Sequence, residues 1–226
     1  MRLITIGAAL VLSLMMAACG SEEATDALTL EERVVGEAEA PGSEPDPVEE
    51  QVTVTGLEEL EAELAGPEVY DEDLQAMEEA GFVSLVIDTR FYPSEPGGEH
   101  APGTPHVVTW VSGFESEEGA NTGATVARDI GLRPCPETCA YEITEFEPSG
   151  VPDAMGVQAI ATQEAIDQIG DDIQPDARFS VYFADGPVAY EVTVFGPPDE
   201  VSRQQAEDIA TMLYERVSGA PLPEPD

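Results

Sequence analysis

The sequence of 226 residues contains no lysine. Its 8 basic residues are all arginine and are outnumbered by 47 Asp and Glu residues, which gives a formal net charge of −39 at pH 7. Such a charge repels the phosphates of DNA, RNA and anionic lipids unless a local basic patch is present, and the sequence has no such patch. The composition therefore argues against a nucleic-acid partner.

The motifs of common enzyme classes are also missing. The chain has no nucleophile elbow, P-loop, dinucleotide fingerprint, HExxH motif or EF-hand loop. Its two histidines, His100 and His106, lie in or beside a long loop and are expected to be solvated. Asp88 and Arg90 lie two positions apart on one predicted strand and therefore face the same side, which predicts a surface ion pair. The sequence assigns no catalytic residue, no metal ligand and no cofactor, so enzyme activity is the less favoured interpretation.

Long apolar runs are absent except at the N-terminus. Arg2 precedes an apolar stretch of 14 residues (3–16), which is typical of a signal peptide and too short for a permanent membrane span. The following residues, Met16-Ala17-Ala18-Cys19, resemble the signal of bacterial lipoproteins. The resemblance implies cleavage before Cys19, attachment of diacylglycerol and a fatty acid such as palmitate to Cys19, and anchoring to the cell membrane on its extracytoplasmic side. The alternative is an ordinary secretory signal cut after Ala18, and both interpretations predict an exported protein.

Only three cysteines are present, and lipidation of Cys19 leaves Cys135 and Cys139. These two are four positions apart around Pro136, which favours a turn that can bring their Cα atoms within about 6 Å. In an oxidising compartment this arrangement predicts a local disulfide. Two less favoured alternatives are a redox-active pair, which normally has two intervening residues, and a zinc site that includes His100 and His106.

Composition divides the chain into four segments. Residues 1–18 are the signal peptide. Residues 19–54 are rich in Glu, Ala, Pro and Gly and are predicted to be an acidic disordered tether. Residues 55–218 are long enough for a single domain. Residues 219–226 carry alternating prolines, which predict a flexible tail.

Hydrophobic periodicity predicts the elements of the domain. Leucines and Met77 recur at helical spacing in 57–64 and 71–80, which predicts two helices. Apolar and polar residues alternate in 83–91 and 106–111, which predicts two strands. Ser116 should cap a helix with a small-residue stripe, in which Gly119 and Gly123 are explained by close approach to the sheet. The remaining predictions are strands at 141–147 and 155–161, a short helix at 162–169, a hairpin around Asp185-Gly186 and a final helix from Ser202. The order predicts an α+β fold, a two-layer sandwich whose mostly antiparallel sheet carries helices on one face.

Several features of the second half resemble single-domain extracytoplasmic lipoproteins of actinobacteria, including sensor-type and PsbP/Mog1-like domains. They are the paired cysteines, the segments 150–154 and 213–216, and the Asp185-Gly186 hairpin. None of these features identifies a ligand, and no functional residue is transferred.

Two functions remain open. The first is a monomeric, non-catalytic domain that binds an envelope component, a solute or a partner protein in a groove between sheet and helices, under the loop 93–105. Trp110 and Tyr190 are assigned to the core rather than to that ligand. The second is an exported hydrolase with a carboxylate site. Two convergent carboxylates with raised pKa values would indicate the hydrolase, whereas an apolar groove would indicate binding.

Overall fold

The computed structural model describes residues 27–47, 51–63, 71–93, 103–134, 141–162 and 176–223. Cys19, His100, Cys135 and Cys139 lie outside these residues, as do the signal peptide and nearly all of the helix predicted at 162–169. The described elements are a short 3-10 helix (Glu31–Arg33), β1 (Glu44–Pro45), β2 (Val52–Thr55), α1 (Leu57–Glu63), α2 (Asp71–Glu79), β3 (Phe82–Phe91), β4 (His106–Phe114), α3 (Glu117–Gly131), β5 (Tyr141–Phe146), β6 (Met155–Ala161), β7 (Ala177–Asp185), β8 (Val188–Gly196) and α4 (Arg203–Val217).

The eight strands of the described residues join one antiparallel sheet. Its order is β1-β3-β4-β8-β7-β6-β5, and β2 also pairs with β3. The predicted hairpin of β7 and β8 is confirmed, but its turn is Gly186-Pro187 rather than Asp185-Gly186, because Asp185 still pairs with Val188. Gly186 has the positive φ of 55° that glycine tolerates. The pairing of β4 with β8 places these two strands at the centre of the sheet.

Helices cover both faces of this sheet. In β8, Val192 and Val194 pack in one core cluster with the apolar side of α4. Ala189, whose side chain points the other way, packs in a second cluster with α1 and α3. The predicted α+β sandwich with an antiparallel sheet is confirmed, but its helices are divided between two faces rather than gathered on one. The reason is that the central strands are largely apolar on both sides, and both sides therefore need a cover.

The packing of α3 depends on small residues, as predicted. Ser116 caps the helix by accepting a hydrogen bond from the Gly119 backbone at 3.0 Å. A Cβ atom on Gly123 would overlap the Phe114 ring of β4, and one on Gly119 would overlap the Ala80 carbonyl at the end of α2. Gly123 thus allows the predicted close approach to the sheet, whereas Gly119 allows close approach to the end of α2 rather than to the sheet.

The first described segment, residues 27–47, packs on the face of the sheet that carries α4, and we call it the N-terminal strap. Val35 and Ala40 are fully buried, and the Arg33 side chain is only 1% exposed. Arg33 donates hydrogen bonds to the Tyr190 hydroxyl at 2.8 Å, the Pro221 carbonyl at 3.1 Å and the Ala220 carbonyl. The strap belongs to the folded domain, whereas composition predicted that residues 19–54 form a disordered tether.

Two further arginines fix the strap from outside. Arg216 of α4 donates to the Glu39 carboxylate at 2.5 Å and to the Val34 carbonyl at 2.6 Å. Arg90 donates to the Ser43 side chain at 2.9 Å and to its carbonyl at 3.0 Å. The strap is ordered because a few buried groups and three arginines offset its ordering entropy, which a count of charges does not reveal.

The ends of the domain also differ from the prediction. β2, at 52–55, pairs with β3, and Ala220 in the predicted tail is buried beside Arg33. The Asp88–Arg90 surface pair is not formed, because Arg90 binds Ser43, while Asp88 Oδ2 is buried without a hydrogen-bond partner among the described residues. Burial raises the pKa of Asp88, and the charge of Arg90 partly offsets this. Within the described ranges, no helix combines the length and the apolarity needed to cross a membrane.

Candidate ligand-binding cavity

A cavity of about 770 Å³ lies between α3 and the sheet, on the face opposite α4 and the strap. Its floor is formed by residues from β3 to β8, and its walls by α3 and by the facing residues of α1 and α2. The volume falls within the range of about 300–1,000 Å³ that is typical of sites for small organic ligands. The site therefore has the size to enclose a small molecule.

Most of the cavity wall is apolar. On the floor, Leu85 and Ile87 of β3 lie beside Val108 and Trp110 of β4. The opposite wall consists mainly of Ala and Val side chains of α3, whose small stripe leaves space above the sheet. Trp110 is only partly buried although it lies in a central strand, because the cavity is next to its ring. An apolar or aromatic group placed in the cavity would contact that ring.

The main polar group of the floor is Glu191 in β8. The Thr193 hydroxyl donates to Glu191 Oε1 at 2.9 Å, and the Ser180 hydroxyl lies 2.7 Å from the Thr193 oxygen. Since the single proton of Thr193 is used on Glu191, Ser180 is the donor in the second bond. Burial raises the pKa of Glu191, and hydrogen bonds from Thr193 and Tyr182 and the charge of Arg178 partly offset this. A carboxyl group is thus held in a largely apolar site.

Other charged residues in the lining have partners of their own. At the rim, Asp73 of α2 accepts two hydrogen bonds from Arg133, which follows α3; one of them is 2.6 Å long. Asp176 accepts a hydrogen bond from the Tyr141 hydroxyl, and burial together with this bond raises the pKa of Tyr141. Arg178 donates to the Gly131 carbonyl at 3.0 Å. The Arg178 bond joins β7 to α3, the Arg133 bonds join the end of α3 to α2, and the Tyr141 bond joins β5 to the residue before β7.

The residues considered in the sequence lie in different places. Trp110 and Tyr190 both contribute to the cavity lining, but the Tyr190 hydroxyl bonds to Arg33 beneath the strap. His106 was expected to be solvated, but it is buried at the start of β4, where its ring stacks on Phe195 with centroids 4.8 Å apart. Its Nε2 atom lies 3.8 Å from Asp46 Oδ2. The expectation was wrong because the burial of His106 depends on Phe195 of β8 and Asp46 of the strap, which are distant in sequence.

Three expectations about the site fall outside the described residues. The loop predicted to cover the groove includes residues 94–102, and the disulfide and zinc alternatives both require Cys135 and Cys139. Within the described ranges, no group of three or more potential ligands that could hold a metal ion is found.

Glu191 and Arg178 were not identified from the sequence. The available signal was local: Glu191 is the one acidic residue in the apolar run of β8, and Arg178 lies near the start of the equally apolar β7. A charged residue in a central strand must face either solvent or a polar cavity. The alternation alone could not distinguish these two surroundings, because the cover provided by α3 depends on long-range packing.

No protein-family model matches the chain, and no curated protein matches it. Among solved structures, it is similar to the extracellular domain of PknH from Mycobacterium tuberculosis. That similarity has a TM-score of 0.48 and 12% sequence identity, and it covers 84% of this chain and 92% of that chain. We therefore base the function of this chain on its own cavity.

Proposed function

We propose that this protein is an exported, membrane-anchored domain that binds a small apolar or amphipathic molecule in the cavity beneath α3. The observation that carries the proposal is the cavity itself: about 770 Å³ lined mostly by apolar side chains, with a few polar groups gathered on β7 and β8. A solute or lipid-like component of the cell envelope has the matching chemistry, since its apolar body would be transferred from water to the Trp110 side of the site.

Binding is favoured over hydrolysis by the partners of the carboxylates. Asp73 is engaged by Arg133 and Asp176 by Tyr141, while the hydrogen bonds of Glu191 come from Thr193 and Tyr182. Glycoside hydrolysis uses two carboxyl groups that flank the scissile bond. In the described lining, Asp73 and Asp176 are each engaged by another side chain, which leaves Glu191 alone and supports a non-catalytic role.

The anchoring part of the proposal rests on the sequence Met16-Ala17-Ala18-Cys19 and its resemblance to lipoprotein signals. We expect a clickable fatty acid fed to producing bacteria to label the wild-type protein in the membrane fraction. Cys19→Ser should remove the label and release the protein from that fraction. Labelling that persists in Cys19→Ser would refute the proposed lipid anchor, but it would not bear on the proposed ligand binding in the cavity.

The binding part can be tested with 1-octanol and the fluorescence of Trp110, the single tryptophan of the chain. Because Trp110 lines the cavity, saturable binding should shift its emission. Ala127→Phe adds a ring to the α3 wall and should abolish the shift. Asn121→Phe adds the same ring to an exposed position of α3 and is the matched control.

Equal binding by the wild type and by Ala127→Phe would contradict the assignment of the cavity. The hydrolase alternative predicts a different result, namely turnover of ester or glycoside substrates that Glu191→Gln abolishes. A binding protein should show no such turnover.

A further inference from the structure

The cavity contains an excess of one acidic group. Its lining includes three carboxylates, Asp73, Asp176 and Glu191, and two guanidinium groups, Arg133 and Arg178. Asp73 and Arg133 neutralise each other through their two hydrogen bonds. Arg178 is close enough to Glu191 to offset part of the rise that burial causes in the pKa of that carboxyl group, and Asp176 lies two positions before Arg178; one guanidinium group balances the charge of only one carboxylate.

Glu191 is the acid without a counterion of its own. No ion pair involves Glu191 among the described residues, and its two protein donors, Thr193 and Tyr182, are neutral hydroxyl groups. The guanidinium of Arg178 donates to the Gly131 carbonyl and acts on Glu191 through its charge, without forming an ion pair with it among the described residues. A charged Glu191 in this apolar site is therefore solvated incompletely by the protein, and a cation placed beside it would be favoured.

Trp110 lies next to this carboxylate. Trp110 and Glu191 are directly paired across β4 and β8, and both line the cavity. Side chains in such pairs have Cβ atoms about 4.5–5.5 Å apart, so an indole ring and a carboxylate border the same space. The negative face of an indole attracts ammonium groups, and the effect is stronger at a desolvated site than in water.

We propose that the ligand of this cavity is an amphipathic cation, an amine whose ammonium group lies between Glu191 and Trp110 while its apolar part fills the space under α3. This inference rests on the proposed binding function and adds the charge of the ligand. The net charge of the chain acts in the same direction, because it concentrates cations near the protein surface at low ionic strength.

The test uses three probes that share an alkyl chain of the same length and differ in their head groups: octylamine, 1-octanol and octanoate. At pH 7 these are a cation, a neutral molecule and an anion. Affinities are measured by Trp110 emission and confirmed by calorimetry. We expect octylammonium to bind at least about tenfold more tightly than octanol, and octanoate to bind most weakly, since a hydrogen bond to a charged group contributes more than a neutral one.

Glu191→Gln should remove most of the preference for octylammonium over octanol, because the side chain keeps its shape but loses its charge. Glu215→Gln removes the same charge from an exposed position on α4, on the opposite face, and should leave the preference intact. This control separates the local carboxylate from the general attraction of an acidic protein for cations.

The outcomes distinguish the two proposals. Octanol or octanoate binding as tightly as octylammonium would overturn the cationic ligand while supporting the cavity as a binding site. An equal loss of preference in both glutamine variants would also overturn it, because the effect would then be long-range. Absence of saturable binding by all three probes would contradict both proposals.

Discussion

The strap provides the sharpest test of the structure through Arg33→Ala. Arg33 is almost completely buried and is the common donor for a hydroxyl and for backbone carbonyl groups from both ends of the domain. If residues 27–47 formed a solvated tether, its removal would leave stability unchanged. If these residues form the strap, removal of the Arg33 side chain leaves buried hydrogen-bond acceptors without a donor.

The expected magnitude follows from those acceptors. The substitution leaves the buried Tyr190 hydroxyl and the Ala220 carbonyl without Arg33, and each buried polar group left unsatisfied costs about 1–3 kcal/mol. Loss of the packed arginine stem adds to this cost. We expect a total loss of about 4 kcal/mol, which lowers the melting temperature of a domain of this size by about 10 °C.

Urea unfolding followed by far-UV circular dichroism measures the free energy of unfolding, and calorimetry measures the melting temperature. Glu31→Ala, in the same short helix but exposed, is the control and should change stability by less than about 0.5 kcal/mol. A different result would contradict this role of the strap. It is a loss of less than about 1 kcal/mol in the free energy of unfolding of Arg33→Ala, with an unchanged slope of that free energy against urea concentration.

Three further predictions concern packing, pH and salt. Gly123→Ala should destabilise the domain by about 1–3 kcal/mol in urea unfolding because its new methyl group meets the Phe114 ring, whereas a neutral result would mean that α3 lies farther from the sheet. Because folding raises the pKa of Glu191, the folded state binds more protons than the unfolded state between the two pKa values, and stability falls as pH rises through that interval. Glu191→Gln should therefore raise the melting temperature at pH 7 but not at pH values below the unfolded pKa of about 4.3, and an equal gain at both would exclude titration as its cause. The melting temperature of the wild type should rise between 0.01 and 1 M NaCl because screening lengths fall from about 30 to 3 Å, and a flat profile would show that repulsion among the carboxylates is minor.

The elements with strong local patterns could be predicted from the sequence. Alternation around Asp185-Gly186 identified the central hairpin, and Ser116 and Ser202 marked the N-caps of α3 and α4, where both side chains accept the expected hydrogen bonds. Each of these signals involves residues that are close in sequence, so the local pattern contains the relevant interactions.

The strap and the cavity could not be predicted in this way. Arg33 is explained by Tyr190 and by residues 220–221, which are more than 150 positions away. The environment of Glu191 likewise depends on whether α3 lies over that face of β8. A composition count assigned 19–54 to a tether because it averages over a segment in which a few buried positions determine the structure.

With the proposed lipid on Cys19, the strap would limit how far the domain extends from the membrane. The structure describes the chain from residue 27, and Leu28 is already held to Pro221 by a backbone hydrogen bond of 3.0 Å. With a lipid on Cys19, only about nine residues would connect the bilayer to the folded body, and even a fully extended chain of that length spans only about 30 Å. A free segment from 19 to 54 would have allowed roughly four times that distance. The domain would then sample molecules at the lipid surface rather than those deeper in the surrounding envelope.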